Sequence, residues 1–332
     1  MTPRQVIACE RMNAALLRSD PLAPAHHGDY ERLLAACKHL APLRLAVVHP
    51  CSAESLAAVI EAREHGLIAP ALIGPEARIR AIARDARIDL QGIEIIATEH
   101  SHASAARAVE FVRSGRFNAL MKGSLHTDEL LHAVLDKASG LRTDRRLSHV
   151  FVLDVPNYPR PLLITDTAIN IHPDLAAKRD IVQNAIDLAH RIGIAAPRVA
   201  ILSAVETVNP AIASTIDAAA LCKMAERGQI RGGLLDGPLA LDTAISTEAV
   251  RIKELQSEVA GAADILVVPD LEAGNMLVKQ LTFLAGADAA GIVLGARVPI
   301  ILTSRADNVR NRLASTALGL LLAQPKPVEV QT

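Results

Sequence analysis

Along this chain, short apolar runs alternate with longer stretches in which apolar residues recur every three or four positions. "LRLAVVHP", "PALIGP", "IEIIATE" and "FNALMKG" read as strands. The segments after them, "SAESLAAVIEAREHG", "EARIRAIARDA", "SAARAVEFVRSG" and "DELLHAVLDKASG", carry helical spacing. Such alternation predicts βαβ units and a mostly parallel sheet. The rhythm changes near residue 149, where "HVFVLDVPNYPRPLLITDTAIN" shows two apolar runs around a Pro-rich turn. That pattern predicts an antiparallel hairpin. Alternation resumes through "RVAILSAVETVNP", "GGLLDGPLALDTAIS", "ADILVVPDLEAGN" and "VPIILTSRADN", which leads into the last helix. The expectation is an α/β protein of two domains with a boundary near residue 148, preceded by a polar or helical leader over 1–28. The final strand and helix fit either domain.

Length and composition agree with this picture. A chain of 332 residues exceeds one small core. It is 50% hydrophobic, 2% aromatic and without Trp, so its core is built from Ala, Leu, Ile and Val. A net charge of −1 argues against non-specific nucleic-acid binding, which needs a basic surface. The cysteines Cys9, Cys37, Cys51 and Cys222 form no CxxC pair, which argues against structural zinc and fits a reducing cytoplasm. The N-terminal stretch lacks a secretory apolar core, and no uncharged apolar run reaches the ~18 residues of a spanning helix. GxGxxG, GxxxxGK[ST], HExxH and GxSxG are all missing.

Ligands of open α/β sheets bind beyond the carboxyl ends of the strands. Five strand-to-helix turns are therefore candidates: Lys122–Thr127, Asp166–Asn170, Ser203–Asn209, Asp270–Asn275 and Thr303–Asn308. In the last, Asp307 or Asn308 caps the final helix, and Arg305 beside its free N–H groups suits phosphate. Arg310 and Arg312 lie in the first turns of that helix, against the preference of its dipole, and a bound anion would remove the conflict. In the first turn, Thr127 is the expected N-cap, with Lys122 and Ser124 ending the strand. "DLEAGN" reads equally well as paired carboxylates for acid–base work and as a turn with a helix cap.

Taken in order, "MKGSLHT", "LLITDTAINIHPD", "VAILSAVETVNP", "LLDGPLALDTAIS", "VPDLEAGNMLVKQL" and "VPIILTSRAD" resemble the phosphate acetyltransferase/phosphate butyryltransferase family over roughly residues 28–325. The resemblance implies two α/β/α domains with mostly parallel sheets and an interdomain cleft, an isocitrate/isopropylmalate dehydrogenase-like architecture. Residues 29–148 plus 298–332 then form the first domain and 149–297 the second. It further implies a cytoplasmic homodimer that moves an acetyl or short-chain acyl group between coenzyme A and inorganic phosphate, with no metal, no bound cofactor and no covalent enzyme intermediate. Ser304 and Arg305 take the family's Ser-Arg positions, facing the thiol or thioester and the phosphate. Lys122, Ser124 and Thr127 form the phosphate-side loop. Asp166, Asn170, Asn275 and Arg310 complete the expected substrate contacts. Acetyl-specific members carry an Asp where this chain has Asn311, so either Asp307 is the base or thiol deprotonation relies on the positive charge of Arg305 and the helix N-terminus, and acyl groups longer than acetyl are expected to be accepted. Two other readings follow from the same residues. One is a non-catalytic module that senses acyl-CoA or acyl phosphate. The other is a metal- and NAD-dependent dehydrogenase on a related fold, which would require Asp166, Asp236, Asp242 and Asp270 to converge.

Overall fold

The computed structural model describes residues 28–302 and 308–324. Its first half follows the alternation read from the sequence. Helix α1 (Gly28–Cys37) precedes β1 (Leu43–Val48), α2 (Ala53–Glu64), β2 (Ile68–Gly74), α3 (Glu76–Asp85), β3 (Glu94–Ala97), α4 (Ser101–Arg113), β4 (Ala119–Lys122) and α5 (Thr127–Leu135). The hairpin expected after residue 149 is present. Strands β5 (Ser148–Asp154) and β6 (Leu162–Thr165) pair antiparallel, Val150 opposite Thr165. Then come α6 (Leu175–Arg191), β7 (Arg198–Leu202), α7 (Ala213–Glu226), β8 (Leu234–Leu239), the short α8 (Leu241–Ile245) and α9 (Thr247–Ile252), β9 (Ile265–Val267) and α10 (Leu271–Leu284). The chain closes with β10 (Asp288–Leu294), β11 (Ile300–Ile301) and α11 (Val309–Ala323).

All eleven described strands join one sheet in the order β3-β2-β1-β4-β11-β10-β5-β6-β9-β7-β8. Pairing is parallel except where β10 meets β11 and β5, and where β5 meets β6. Strand β10 is absent from the sequence-based expectation. Its "DAAGIVL" follows a helical stretch, and its small residues give no clear period of two. Position decides its state. It lies between β5 and β11 near the middle of the sheet, where ladder hydrogen bonds overcome the weak strand preference of Ala and Gly. Because β11 is only two residues long, it leaves the β10 edge short of acceptors. Helix α11 supplies them: Ala289 N donates to Asn311 Oδ1 and Gly291 N to Ser315 Oγ, both at 3.0 Å. Asn311 and Ser315 are one helical turn apart, so a single face of α11 serves two successive ladder positions.

The two faces of the sheet are covered differently. On one face a single core runs the length of the sheet, from Leu45, Val47 and Leu72 through Ile301, Ile292, Val150 and Leu163 to Val199 and Ile265. On the other face there are two separate cores. One holds Ala46, Val48, Leu120, Leu130, Val293 and Ile300, and the other Leu153, Ile164, Ala200, Leu202, Leu266 and Ala289. Strand alternation sends His149, Phe151 and Leu153 to this second face, together with Ala289, Gly291 and Val293 across the ladder. Leu153 and Ala289 join one core, with Phe151 packed against it, and Val293 joins the other, while His149 and Gly291 belong to neither. The sheet is therefore left open between two hydrophobic cores, and that opening is where a ligand can enter.

Candidate active site

The opening is a cleft of about 720 Å³. Lys122 at the end of β4 and Thr127 at the start of α5 form one side, with Leu302, Asn308 and Asn311 beside them. His149 and Phe151 of β5, and Thr167 and Ala168 after β6, form the floor and the opposite side. Helix α10 covers that side with Asn275, Val278, Lys279, Thr282 and Phe283, and Ala287 and Ala289 close the base. One part of the lining is apolar and small, and the other carries amines, hydroxyls and an imidazole.

The polar part is built to receive an anion. The N-cap of α5 is His126, not the expected Thr127, and its side chain makes no capping bond. The first N–H groups of α5 thus keep their hydrogen-bonding capacity beside Thr127, and a helix N-terminus of this kind favours negative charge. Lys122 Nζ donates to the carbonyls of Gly123 and Leu125, each at 3.2 Å, which holds the ammonium against the loop that leads into α5. Ser124 Oγ is buried among the described residues without a hydrogen-bond partner. Gly123 explains how this loop lies so close to β1. A Cβ there would sit 2.5 Å from Val48 O and 2.7 Å from His49 O, the atoms that accept Gly123 N and Ser124 N.

The other expected site residues divide into three groups. Lys122, Thr127 and Asn275 line the cleft, with Asn275 Nδ2 lying 3.4 Å from Thr167 O. Asp166 and Asn170 frame it instead. The Asp166 carboxylate accepts Ala168 N, Ile169 N and Asn170 N at 3.0, 3.1 and 3.2 Å, and Asn170 Nδ2 at 2.6 Å. Burial nevertheless pushes its pKa above the ordinary carboxylate value, against the pull of these N–H groups. Asn170 also donates to Leu147 O at 2.8 Å, and the residues that this loop presents to the cleft are Thr167 and Ala168. Ser304, Arg305 and Asp307 lie outside the described residues. Asn308, of the two expected caps, accepts Asn311 N at 2.8 Å and so caps α11. Asp270 caps α10, accepting Ala273 N at 2.9 Å, which accounts for one carboxylate of "DLEAGN" as a helix cap. The Ser203–Asn209 turn contributes no residue to the cleft lining.

Arg310, expected to contact substrate, is not among the described residues that line this cleft. Its Nε donates to Asp288 Oδ2 at 2.8 Å, and its guanidinium stacks on the Tyr30 ring, 3.8 Å from the centroid. The Asp288 carboxylate thus answers the Arg310 charge that opposes the α11 dipole. Arg312 donates to Glu54 O at 3.2 Å. Arg310→Ala is therefore expected to lower stability by about 1 kcal/mol through the lost stacking and ion pair, with kcat and KM within about twofold of wild type. Denaturant unfolding and steady-state kinetics check this. A selective rise in KM for an anionic substrate would return Arg310 to the site.

The composition of the lining brings in residues that sequence reasoning missed, foremost His149. It is 2% exposed, yet lines the cleft, and its Nδ1 is 2.8 Å from Thr167 Oγ1. Burial lowers its pKa to about 3, so the ring is neutral. The available signal was a lone histidine two residues before Phe151 in an otherwise apolar strand, on the face that alternation turns toward the cleft. Among the described residues no group of three or more His, Cys, Asp and Glu side chains is placed to hold a metal ion.

The cleft lies at the carboxyl ends of β4 and β6 of an open α/β sheet, the place where such folds bind small ligands. The family described as Phosphate acetyl/butaryl transferase matches residues 97–319. A "Phosphate acetyltransferase" of Rhizobium meliloti is 65% identical over 300 residues, covering 90% of this chain and 95% of that protein. A "Phosphate butyryltransferase" of Clostridium acetobutylicum is 43% identical over 271 residues, covering 82% of this chain and 90% of that one. Among solved structures, a branched-chain phosphotransacylase from Enterococcus faecalis V583 superposes with a TM-score of 0.74 at 30% identity, covering 85% of this chain and 99% of that one. The chain belongs to the phosphate acetyl/butyryl transferase family and is a phosphate acyltransferase.

Proposed function

We propose that this enzyme moves a short acyl group, acetyl to butyryl, between coenzyme A and inorganic phosphate, giving acyl phosphate and free CoA. The observation that carries the reading is the two-part cleft. Lys122 and the uncapped start of α5 offer positive potential where a phosphate would sit, and Val278, Ala287, Ala289 and Leu302 offer an apolar wall for the acyl chain and the thioester. In the direction of acyl-CoA formation the thiolate sulfur bonds to the acyl carbon, the C–O bond to phosphate breaks, and phosphate leaves with its electron pair. Such a reaction needs anion clamps, donors for the developing oxyanion and close positioning, and no metal or bound cofactor. Ser304 and Arg305 are assigned to the thiol and the phosphate, and Asp307 to the thiol proton. The relatives' names span acetyl and butyryl, and the small side chains of Ala287 and Ala289 favour acceptance of both.

The same proposal divides the chain into 29–148 plus 298–332 and 149–297, one on each side of the cleft. Parallel pairing of β11 with β4 supports this division, as does packing of α11 on α1 and α2. It also takes the enzyme as a cytoplasmic homodimer. Three described cysteines, Cys37, Cys51 and Cys222, are free thiols, and no described helix is long and apolar enough to cross a membrane. Met276, Phe283 and Leu284 of α10 are 64%, 72% and 82% exposed at helical spacing, a stripe that suits a second copy.

The test is thiol release from acetyl-, propionyl- and butyryl-CoA, with phosphate or arsenate and with or without EDTA. Phosphate-dependent release from all three, unchanged by chelation, is expected. No release from any of them would overturn the reading. Loss of activity with EDTA and its recovery with Mg²⁺ would show a metal enzyme instead.

A further inference from the structure

His149 is held more tightly than packing alone requires. Thr165 Oγ1 donates to its backbone carbonyl at 3.0 Å, and Thr167 Oγ1 meets ring atom Nδ1 at 2.8 Å. Phe151 packs edge-on at 4.6 Å between ring centroids. Across the ladder, a Cβ on Gly291 would come 3.0 Å from Nε2 and 2.9 Å from Phe151 Cε1, so the missing side chain leaves room for both rings. The imidazole is thus fixed in position and orientation, and His149 is one of the residues that line the cleft. Among the described residues Nε2 has no hydrogen-bond partner.

The tautomer follows from hydrogen-bond accounting. Thr167 is fully buried, and among the described residues its hydroxyl has one hydrogen-bond partner, Nδ1 of His149. A buried hydroxyl donates where it can, so Nδ1 accepts and the ring proton sits on Nε2. The charged groups on the surrounding elements are Lys122 at the end of β4, Lys279 on α10, Asp166 after β6, and the Asp288–Arg310 pair where β10 meets α11. None of them is bonded to the ring, and Asp166 is taken up by its own loop.

We propose that His149 is a further catalytic residue, whose Nε2–H donates to the carbonyl oxygen of the acyl group and holds the negative charge that develops there. As sulfur or phosphate oxygen bonds to the acyl carbon, the carbonyl π pair moves onto oxygen. The donor stabilises that oxyanion, the pair returns, and the leaving group departs. No proton passes to or from His149, which distinguishes it from a general base. A neutral, immobile N–H needs no reorganisation at the moment of reaction, which is the property an oxyanion donor requires.

This role rests on the acyl-transfer reading above, and the experiment keeps the two apart. Removing one such donor costs about a hundredfold in kcat or more. His149→Ala is expected to lower kcat by about that factor with both acetyl- and butyryl-CoA while KM changes less than threefold. His149→Gln, which retains an N–H donor, recovers part of the loss. Independently of any variant, ¹⁵N NMR of the wild-type protein, with His149 assigned through bonds, is expected to show the neutral Nε2–H tautomer from pH 5 to 8. A His149→Ala enzyme with kcat within threefold of wild type overturns the proposal, as does an Nδ1–H tautomer. Wild type that releases no thiol at all removes the acyl-transfer reading and this role with it. Active wild type with an unaffected variant removes His149 alone.

Discussion

Gly123→Ala is expected to reduce kcat/KM by a hundredfold or more while the chain still folds. The reason lies in what the new methyl would meet. Its three nearest atoms are Val48 O at 2.5 Å, His49 O at 2.7 Å and His49 C at 2.8 Å, all backbone. No side chain can rotate away to make room. Strand β1 cannot retreat either, because β2 and β4 flank it and Val47 and Val48 are fully buried. The loop from Lys122 to Ser124 must move instead. That stretches the bonds from Gly123 N to Val48 O and from Ser124 N to His49 O, both 2.9 Å. The same movement shifts Lys122, the Ser124 hydroxyl and the first turn of α5 together. A misplacement of about 1 Å in positioning groups costs on the order of a hundredfold in rate. Overpacking of this kind costs about 1–3 kcal/mol of stability, too little to unfold a core of this size. Kinetics with varied phosphate and a thermal melt check both halves. Kinetics within threefold of wild type would show that the loop does not position the anion.

That glycine was not singled out by the sequence, although the loop around it was. The difference is instructive. "KGSLHT" announces itself because a lysine and a serine follow a buried strand, and residue type alone carries that signal. The need for glycine comes from the distance between two backbones that are far apart in the chain. The same contrast runs through the molecule. The strands β1 to β4, the hairpin and the order of helices were legible because each buries a run with its own period. Strand β10 was not, since "DAAGIVL" is a strand by virtue of its neighbours and of Asn311 and Ser315 on α11. Arg310 looked like an anion ligand because its charge opposes the helix dipole, and only the fold could show Asp288 and Tyr30 answering that charge. His149 looked like one more scattered histidine among twelve. Its place depends on the gap between two cores on one face of the sheet, a property of packing that no local window contains.

Burial of His149 also predicts how the protein responds to acid. Unfolded, an imidazole titrates near pH 6.5, whereas in the fold burial lowers the value to about 3. Below pH 6.5 the unfolded chain gains a proton that the folded one refuses, so stability falls as pH falls. The slope rises from about 0.7 toward 1.36 kcal/mol per pH unit, which integrates to about 1.6 kcal/mol between pH 6.5 and 5. Asp166 acts with the opposite sign. Its folded pKa is raised by burial, so between the unfolded value and the folded one the native state binds the extra proton, and stability rises as pH falls. The two effects oppose each other in wild-type protein. The difference between wild type and His149→Gln separates them, since Asp166 is common to both. Denaturant unfolding of each protein at pH 6.5, 5.5 and 5 should show wild type losing about 1.6 kcal/mol relative to the variant across that range. Parallel curves would mean that the folded protein protonates His149 near its ordinary pKa. The ring would then be an imidazolium in the cleft at mildly acid pH, and the neutral Nε2–H donor inferred for catalysis would be confined to pH above about 6.5.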